Sequence, residues 1–477
     1  MLWISLHLPA LPLEALLRGS PLPEACAVAD SHRIVGCDGK ARVRGVSAGM
    51  SASAALALAP QLRICQRDGS AETEALLGIA AWAMQFTPNV ALEFPDVVLL
   101  EISGSLKLFG GLAQILGDLR EGLSAMGFTT CLAVAPTARA ACWLVRAGRE
   151  TLVTEGERID DAVSSLPASV LCCDADTLES LEAIGAATVG DLLALPRDGL
   201  ARRFGQALLD DLDRARGRLP DPRSFFTPPP RFAAGIDLQA EVTQTEALLF
   251  AAKRLLAQLA GYLAARSGGV QRFALKLAHR DGGATEIAIG LVTPSRDAEH
   301  FTLLARERLA SVALREPVRS ITIEAADILP LAGDNLGLFP DDTGSPGNWD
   351  RLIERLRARL GTQAVLGLAS RAEHRPERAS ADAHVHTHAD ERQLKLQFGE
   401  RPFWLLDAPR PIPEVGAVPN YEGPLMLLAG PERIESGWWD DDDIARDYFV
   451  ARTQSESLVW VYRERRGGGW YLHGLFA

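Results

Sequence analysis

The order of apolar and polar positions in the first 165 residues predicts strands that alternate with helices. Three short apolar runs have the length of buried strands: residues 1–8, 96–103 and 129–135. Three segments with helical periodicity lie between or after them: residues 72–85, 112–126 and 137–147. We therefore expect an α/β or α+β domain in this part of the chain.

The downstream pattern predicts further folded units. Residues 176–218 are helical with short glycine turns, and the proline-rich residues 220–230 indicate a boundary. A long helix at 245–265, followed by strands and another helix, predicts a second α+β unit. The tail, which holds five of the nine tryptophans, predicts a small β-rich domain. We divide the chain into six segments: residues 1–165, 166–220, 231–330, 331–349, 350–400 and 401–477.

Composition narrows the class of protein. The chain has 477 residues, 47% hydrophobic and 23% charged, as in an ordinary soluble globular protein. No uncharged apolar run of about 18 residues occurs, and the N-terminus lacks the basic start of a secretion signal. Seven cysteines without a C-x-x-C pair predict a reducing cytoplasm, with no disulfide framework or zinc site. The net charge of −12 argues against indiscriminate polyanion binding but allows a local basic face.

A helix-hairpin-helix pattern suggests contact with DNA. One helix runs into Gly185, and the next starts near Thr188 and Gly190. The glycine lets the hairpin backbone approach a phosphate, and the free N–H groups of the second helix point at it. Arg202 and Arg203 follow and favour DNA. The alternative is a plain αα-hairpin in a helical bundle.

Two further segments precede this unit. Residues 42–51 are R-V-R-G-V-S-A-G-M-S, and residues 100–110 are L-E-I-S-G-S-L-K-L-F-G. In this order the three segments resemble the Y-family translesion DNA polymerases, over about residues 1–330. The resemblance implies an α+β multidomain fold with three polymerase-like parts: palm and fingers in residues 1–165, a helical thumb in 166–220 and an α+β little finger in 231–330.

The resemblance also indicates what the chain lacks. Nucleotidyl transfer needs two metal ions held by clustered carboxylates. Alignment with the family places Ser5 at the first metal-binding aspartate, and His7 at a second acidic position of that strand. Asp96 matches a family carboxylate, but Val97 replaces the glutamate beside it. Because Mg²⁺ prefers several oxygen ligands, we predict no bound metal, no cofactor and no polymerase activity.

The nucleotide pocket departs from the family in the same way. Ala10 stands where the resemblance implies an aromatic gate against ribonucleotides, and Gly39 replaces a tyrosine that contacts phosphate. Ala138 replaces a phosphate-binding lysine, although an alignment shift of one residue would bring Arg139 there. Arg42 matches the family's arginine and is the nucleotide-binding remnant.

The tail resembles a catalytically defective branch of the family that occurs in bacterial mutasome cassettes. The similar motifs are G-W-W-D at 437–440, R-D-Y at 446–448 and aromatic runs at 458–462 and 470–477. Most of the tryptophans are expected in a small core, but Trp and Tyr are also favoured at interfaces. We predict partner contacts through Trp438, Trp439 and Tyr448, and repulsion of DNA by the acidic run Asp440–Asp443.

The linker at 331–349 carries a candidate peptide for the bacterial sliding clamp. It resembles the form Q-L-x-L-F through Asn335, Leu336, Leu338 and Phe339. Its last two apolar side chains could fill a pocket on the clamp. The alternatives are that this pair docks back on the little finger, or that residues 393–398 bind the clamp instead.

These features predict a non-catalytic adaptor in error-prone translesion synthesis. The resemblance implies four partners and no membrane: DNA, the sliding clamp, an error-prone C-family DNA polymerase and a RecA-like accessory protein. Two alternatives stay open. One is an active translesion polymerase with atypical metal ligands, and the other is an unrelated module that binds the DNA backbone.

Overall fold

A computed structural model describes residues 1–19, 24–171, 173–314, 316–331, 346–383 and 401–476. The chain forms two compact units, Met1–Arg359 and Leu360–Ala477. The candidate clamp residues 335–339 and the rival peptide at 393–398 lie outside the described residues, so clamp binding stays a prediction.

Residues 1–146 form two sheets with their helices. The elements are, in order, β1 (Trp3–His7), α1 (Leu11–Leu17), β2 (Cys26–Asp30), β3 (Arg33–Cys37), α2 (Gly39–Val43), α3 (Ala52–Leu58), β4 (Arg63–Gln66), α4 (Gly69–Ala83), β5 (Val90–Glu93), β6 (Val97–Glu101), α5 (Leu112–Ala125), β7 (Cys131–Ala135) and α6 (Ala138–Arg146). Strands β5-β6-β1-β7 form an antiparallel palm-like sheet. Strands β3-β2-β4, with α2 and α3, form a small fingers-like subdomain.

Both faces of the palm-like sheet are buried, which is why its strands consist of nearly continuous apolar runs. Ile4 and Leu6 pack with α4 and α5 on one face. Trp3 and Val97 pack with α6 on the other. Because side chains alternate along a strand, the odd-numbered residues of β1 face the α6 side.

Five short helices form the thumb-like part. They are α7 (Ile159–Ser164), α8 (Ala175–Ala183), α9 (Val189–Ala194), α10 (Arg197–Phe204) and α11 (Gln206–Ala215). Their apolar side chains share one core with α6 and the adjacent face of the palm-like sheet. The helical pattern of residues 176–218 is confirmed.

The little-finger-like part is a second α+β layer structure. Its elements are β8 (Phe232–Val242), α12 (Thr245–Ala265), β9 (Gly268–His279), β10 (Ala284–Ser295), α13 (Ala298–Ala310), β11 (Val318–Ala325), β12 (Ile328–Pro330) and α14 (Pro346–Leu360). The sheet order is β10-β9-β11-β8, with β12 beside β9. Helix α12 is long and apolar enough to cross a membrane, but 56% of its most apolar stretch is buried inside the fold. Such burial is typical of a core helix.

The C-terminal unit is built from strands, as predicted for the tail. They are β13 (Gly367–Ser370), β14 (Ser380–Ala383), β15 (Trp404–Ile412), β16 (Glu414–Val415), β17 (Val418–Pro419), β18 (Met426–Ser436), β19 (Ile444–Arg452), β20 (Leu458–Glu464) and β21 (Trp470–Leu475). The main sheet has the order β15-β21-β20-β19-β18, and two apolar clusters form its core.

Two features of the fold differ from the sequence pattern. The fingers-like strands β2, β3 and β4 were not predicted, because each has only four or five residues and the pair β2–β4 is parallel and joins distant segments. The C-terminal unit begins at Leu360, whereas the sequence pattern set residues 350–400 apart from the tail. Arg375 accounts for part of this difference, because it bonds to Asp440 and Asp442 in the turn after β18.

Candidate functional site

The palm-like sheet brings together the residues that the sequence resemblance predicts at the family's catalytic positions. In the antiparallel pair β1–β6, His7 lies opposite Val97 and Ser5 opposite Leu99. Asp96 directly precedes β6, so its carboxylate reaches the end of β1. His7 Nε2 is 3.4 Å from Asp96 Oδ2.

Two of these positions are closed to solvent. Ser5 and Val97 are both 0% exposed. Val97 belongs to the apolar core that joins the sheet to α6, and Ser5 Oγ has no hydrogen-bond partner. A hydroxyl in this setting cannot replace a carboxylate as an accessible ligand.

Arg146 supplies a positive charge to the same site. It is the last residue of α6, and its Nη2 lies 3.7 Å from Asp96 Oδ1. The same nitrogen donates a hydrogen bond to the carbonyl oxygen of Phe94 at 3.4 Å. Burial raises the pKa of Asp96, but its interactions with His7 and Arg146 more than offset this, and the net pKa lies below its ordinary value. Asp96 is therefore held as an anion in an ion cluster, His7–Asp96–Arg146.

The donor set of this cluster does not fit a pair of Mg²⁺ ions. Mg²⁺ requires several oxygen ligands in near-octahedral geometry. The cluster offers one carboxylate, beside which an arginine already carries the positive charge. In the parts of the chain that the structure describes, no three His, Cys, Asp or Glu side chains are grouped to hold a metal.

The residues aligned with the nucleotide pocket are dispersed or already engaged. Ala138 is 2% exposed in the core. Arg139 forms ion pairs with Glu93 at 3.4 Å and with Asp211 of α11 at 3.3 Å, so it links the palm-like and thumb-like parts. Arg42 is exposed on α2, and its Nη2 lies 3.5 Å from the carbonyl oxygen of Cys37. Ala10 precedes α1 and Gly39 begins α2.

The helix-hairpin-helix forms as predicted, but its amides are largely occupied. Gly185 has φ +80°, the left-handed turn that favours glycine. Thr188 and Asp191 cap α9 reciprocally, and Val189 N–H bonds to the carbonyl oxygen of Leu166. At Gly190 an added Cβ would lie 2.9 Å from the Ser164 carbonyl oxygen. The predicted close approach at Gly190 is therefore to another helix of the thumb, and few N–H groups remain for phosphate.

Arg202 and Arg203 are the more accessible basic groups of the thumb. Both are exposed in the last turn of α10. Arg203 lies over the Phe204 ring, 5.4 Å from its centroid. Neither has an ion-pair partner among the described residues, so both are free to meet phosphate.

The three residues predicted to bind partners divide into surface and core. Trp438 is 79% exposed and Trp439 is 57% exposed, with edge-to-face rings 5.5 Å apart. Tyr448 is 1% exposed and stacks on Trp460 at 4.0 Å, so its prediction as a contact residue is wrong. Alternation along β19 turned Tyr448 inward, whereas the two tryptophans lie in the turn after β18.

The acidic run beside these tryptophans is mostly neutralised. Arg375 is 1% exposed and bonds both Asp440 and Glu373, each at 2.7 Å. Arg378 pairs with Asp440 and Asp442. The predicted repulsion of DNA by four adjacent carboxylates is therefore weakened. The sequence pattern predicts no role for Arg375. Its role follows from the structure, in which it pairs with Asp440, 65 residues further along the chain.

Three comparisons show which known proteins this chain is similar to. Residues 14–144 match the family model "IMS: impB/mucB/samB family". The chain is 29% identical over 466 residues to Protein ImuB of Caulobacter vibrioides, covering 91% of this chain and 100% of that protein. It is 25% identical over 339 residues to DNA polymerase IV of Shewanella sp., covering 69% of this chain and 90% of that protein. A DinB structure from Sulfolobus solfataricus aligns at 16% identity with a TM-score of 0.39, over 70% of this chain and all of that one.

The chain combines a region, residues 14–144, that is similar to the impB/mucB/samB family with a C-terminal unit built from strands. Over almost its whole length the chain is similar to Protein ImuB of Caulobacter vibrioides.

Proposed function

We propose that this protein is a non-catalytic adaptor in error-prone translesion DNA synthesis. The observation that carries the proposal is the ion cluster His7–Asp96–Arg146. One carboxylate remains at the catalytic position, and a guanidinium and an imidazole surround it. Nucleotidyl transfer by two metals needs a cluster of accessible carboxylates, which Ser5 and Val97 do not supply.

The proposed adaptor holds DNA weakly and without sequence preference. Arg202 and Arg203 favour phosphate contacts, which position a protein on DNA but do not read bases. The net charge of −12 limits the strength of that contact. We place the protein in the cytoplasm, where bacterial DNA is replicated.

The adaptor also recruits proteins. We assign the sliding clamp to residues 335–339, and a RecA-like accessory protein or an error-prone C-family polymerase to the surface formed by Trp438 and Trp439. Two adjacent exposed tryptophans support a protein contact, because large aromatic side chains dominate binding energy at interfaces.

Primer extension with Mg²⁺ and with Mn²⁺ tests the proposal against its alternative, an active polymerase with atypical ligands. Purified protein should extend no primer, on intact or damaged templates. Extension that is lost on Asp96→Asn would establish the alternative. A clamp pull-down tests recruitment: Leu338→Ala with Phe339→Ala should lower affinity at least thirtyfold, since even one such anchor is worth roughly 2 kcal/mol or more. Loss on changing Leu396 and Phe398 instead would move the site to the rival peptide.

A further inference from the structure

A cavity of about 670 Å³ lies where the palm-like helices meet the little-finger-like part. Its walls come from α1, α4, β8 and α12 and combine polar with apolar groups; Leu16, Ala71, Ala75 and Phe232 are among the apolar ones. This volume lies in the range of pockets that bind small organic molecules. Neither the polymerase-like site nor the C-terminal surface uses it.

An arginine without a carboxylate partner lines this cavity. Arg18 is 8% exposed, and among the described residues no carboxylate lies within ion-pairing distance of it. Its guanidinium lies 4.8 Å from the Phe128 ring centroid, and one nitrogen is 3.5 Å from the Gly235 carbonyl oxygen. Nε has no hydrogen-bond partner. Gln258, 7% exposed, also lines the cavity, and its Oε1 has no partner.

The charges around Arg18 do not cancel. Burial, and then the nearby charge of Arg254, lowers the pKa of Arg18 to about 10. Glu14 interacts with Arg254, and its carboxylate accepts a hydrogen bond from Thr129 N–H. Half-buried Arg254 therefore has Glu14 as a partner, whereas the charge of buried Arg18 is not offset by a paired carboxylate among the described residues. A buried charge without a counter-ion is costly, and a bound anion would compensate it.

We propose that this cavity binds a small organic carboxylate, with its single negative charge at Arg18 and an apolar body between α1, α4 and β8. A single negative charge matches the one buried guanidinium that, in the described part of the chain, has no carboxylate partner. Glu74 and Asp237, which also line the cavity and are exposed, disfavour a polyanion such as a nucleoside triphosphate. The apolar part of the wall favours a ligand with an apolar body, because contact with that body removes apolar surface from water.

Calorimetric titration of the full chain with octanoate tests this proposal. Octanoate should bind with one-to-one saturation, and octan-1-ol and acetate, which lack the charge or the body, at least tenfold more weakly. Arg18→Gln and Ala71→Leu should each weaken octanoate binding at least tenfold. Arg231→Gln, at an exposed lining residue, is the control and should change it less than threefold. Absence of saturable binding, or equal binding by Arg18→Gln, overturns the proposal.

Thermal unfolding gives a second measurement that does not depend on the titration. Arg18→Met removes the unpaired charge but keeps an unbranched side chain that can pack on Phe128, so it should raise the unfolding temperature of the ligand-free chain. A lower temperature would show that Arg18 is a structural cation on Phe128, and would overturn the proposal. Octanoate should raise the unfolding temperature of the parent and not that of Arg18→Met.

Discussion

The ion pair between Asp96 and Arg146 can be measured by a double-mutant cycle. The changes are Asp96→Asn, Arg146→Gln and both together, which remove each charge but keep a polar side chain. If the ion pair takes the place of a metal site, the contributions of Asp96 and Arg146 to stability must be coupled. The single variants should then destabilise the palm-like sheet, and the double variant should cost less than their sum.

The expected coupling follows from distance and exposure. Two unit charges 3.7 Å apart attract by about 4 kcal/mol at an effective dielectric constant of about 20. Asp96 is 31% and Arg146 13% exposed, so desolvation and the hydrogen bonds that remain offset most of this. We expect a net coupling of about 1 kcal/mol, which is roughly fivefold in an equilibrium constant.

Native-state hydrogen exchange of the full chain measures this coupling, because the protection of amides in β1 and β6 reports the local stability of the sheet. The matched control is the surface pair Arg120–Glu150, which is half exposed on both sides and should show a coupling close to zero. Millimolar Mg²⁺ should not change the protection of β1. If the cycle at Asp96 and Arg146 gives no coupling, and Mg²⁺ protects β1 in the parent but not in Asp96→Asn, the reasoning is refuted.

Three further outcomes follow from the described residues. Burial lowers the pKa of His473 to about 4, below its ordinary 6.5. The folded C-terminal unit therefore keeps full stability above about pH 6.5. It should lose about 3 kcal/mol of its free energy of unfolding as the pH falls to 4. His473→Gln should flatten this decline in urea-unfolding midpoints, and an unchanged pH profile would contradict the assignment. Arg202→Ala with Arg203→Ala should weaken DNA binding for all sequences and reduce the slope of log affinity against log salt by about 2, measured by anisotropy. Trp438→Ala with Trp439→Ala should abolish capture of the accessory protein or the polymerase while leaving unfolding within about 1 kcal/mol of the parent, and capture of both at parental levels would end that assignment.

The sequence alone determined where the main helices and strands lie and which acidic residues the palm-like strands lack. Helical and strand periodicities located the core elements, and α12 was predicted as residues 245–265 and observed as Thr245–Ala265. The absence of any acid on the first strand was also a property of the sequence, and so was Val97 in place of a glutamate. These features are local: periodicity follows from neighbouring residues, and a missing residue type needs no contact to be recognised.

Only the tertiary structure decided which side chains meet. Arg146 is 50 residues from Asp96 in the chain, and the packing of α6 across the sheet brings it there. For the same reason, the sequence of the aromatic tail does not separate its buried aromatic residues from its exposed ones. Tyr448 and Trp438 belong to similar motifs, yet one is buried and the other exposed, because strand register and turn position set their direction. Contacts between distant segments depend on packing, which a linear pattern does not record.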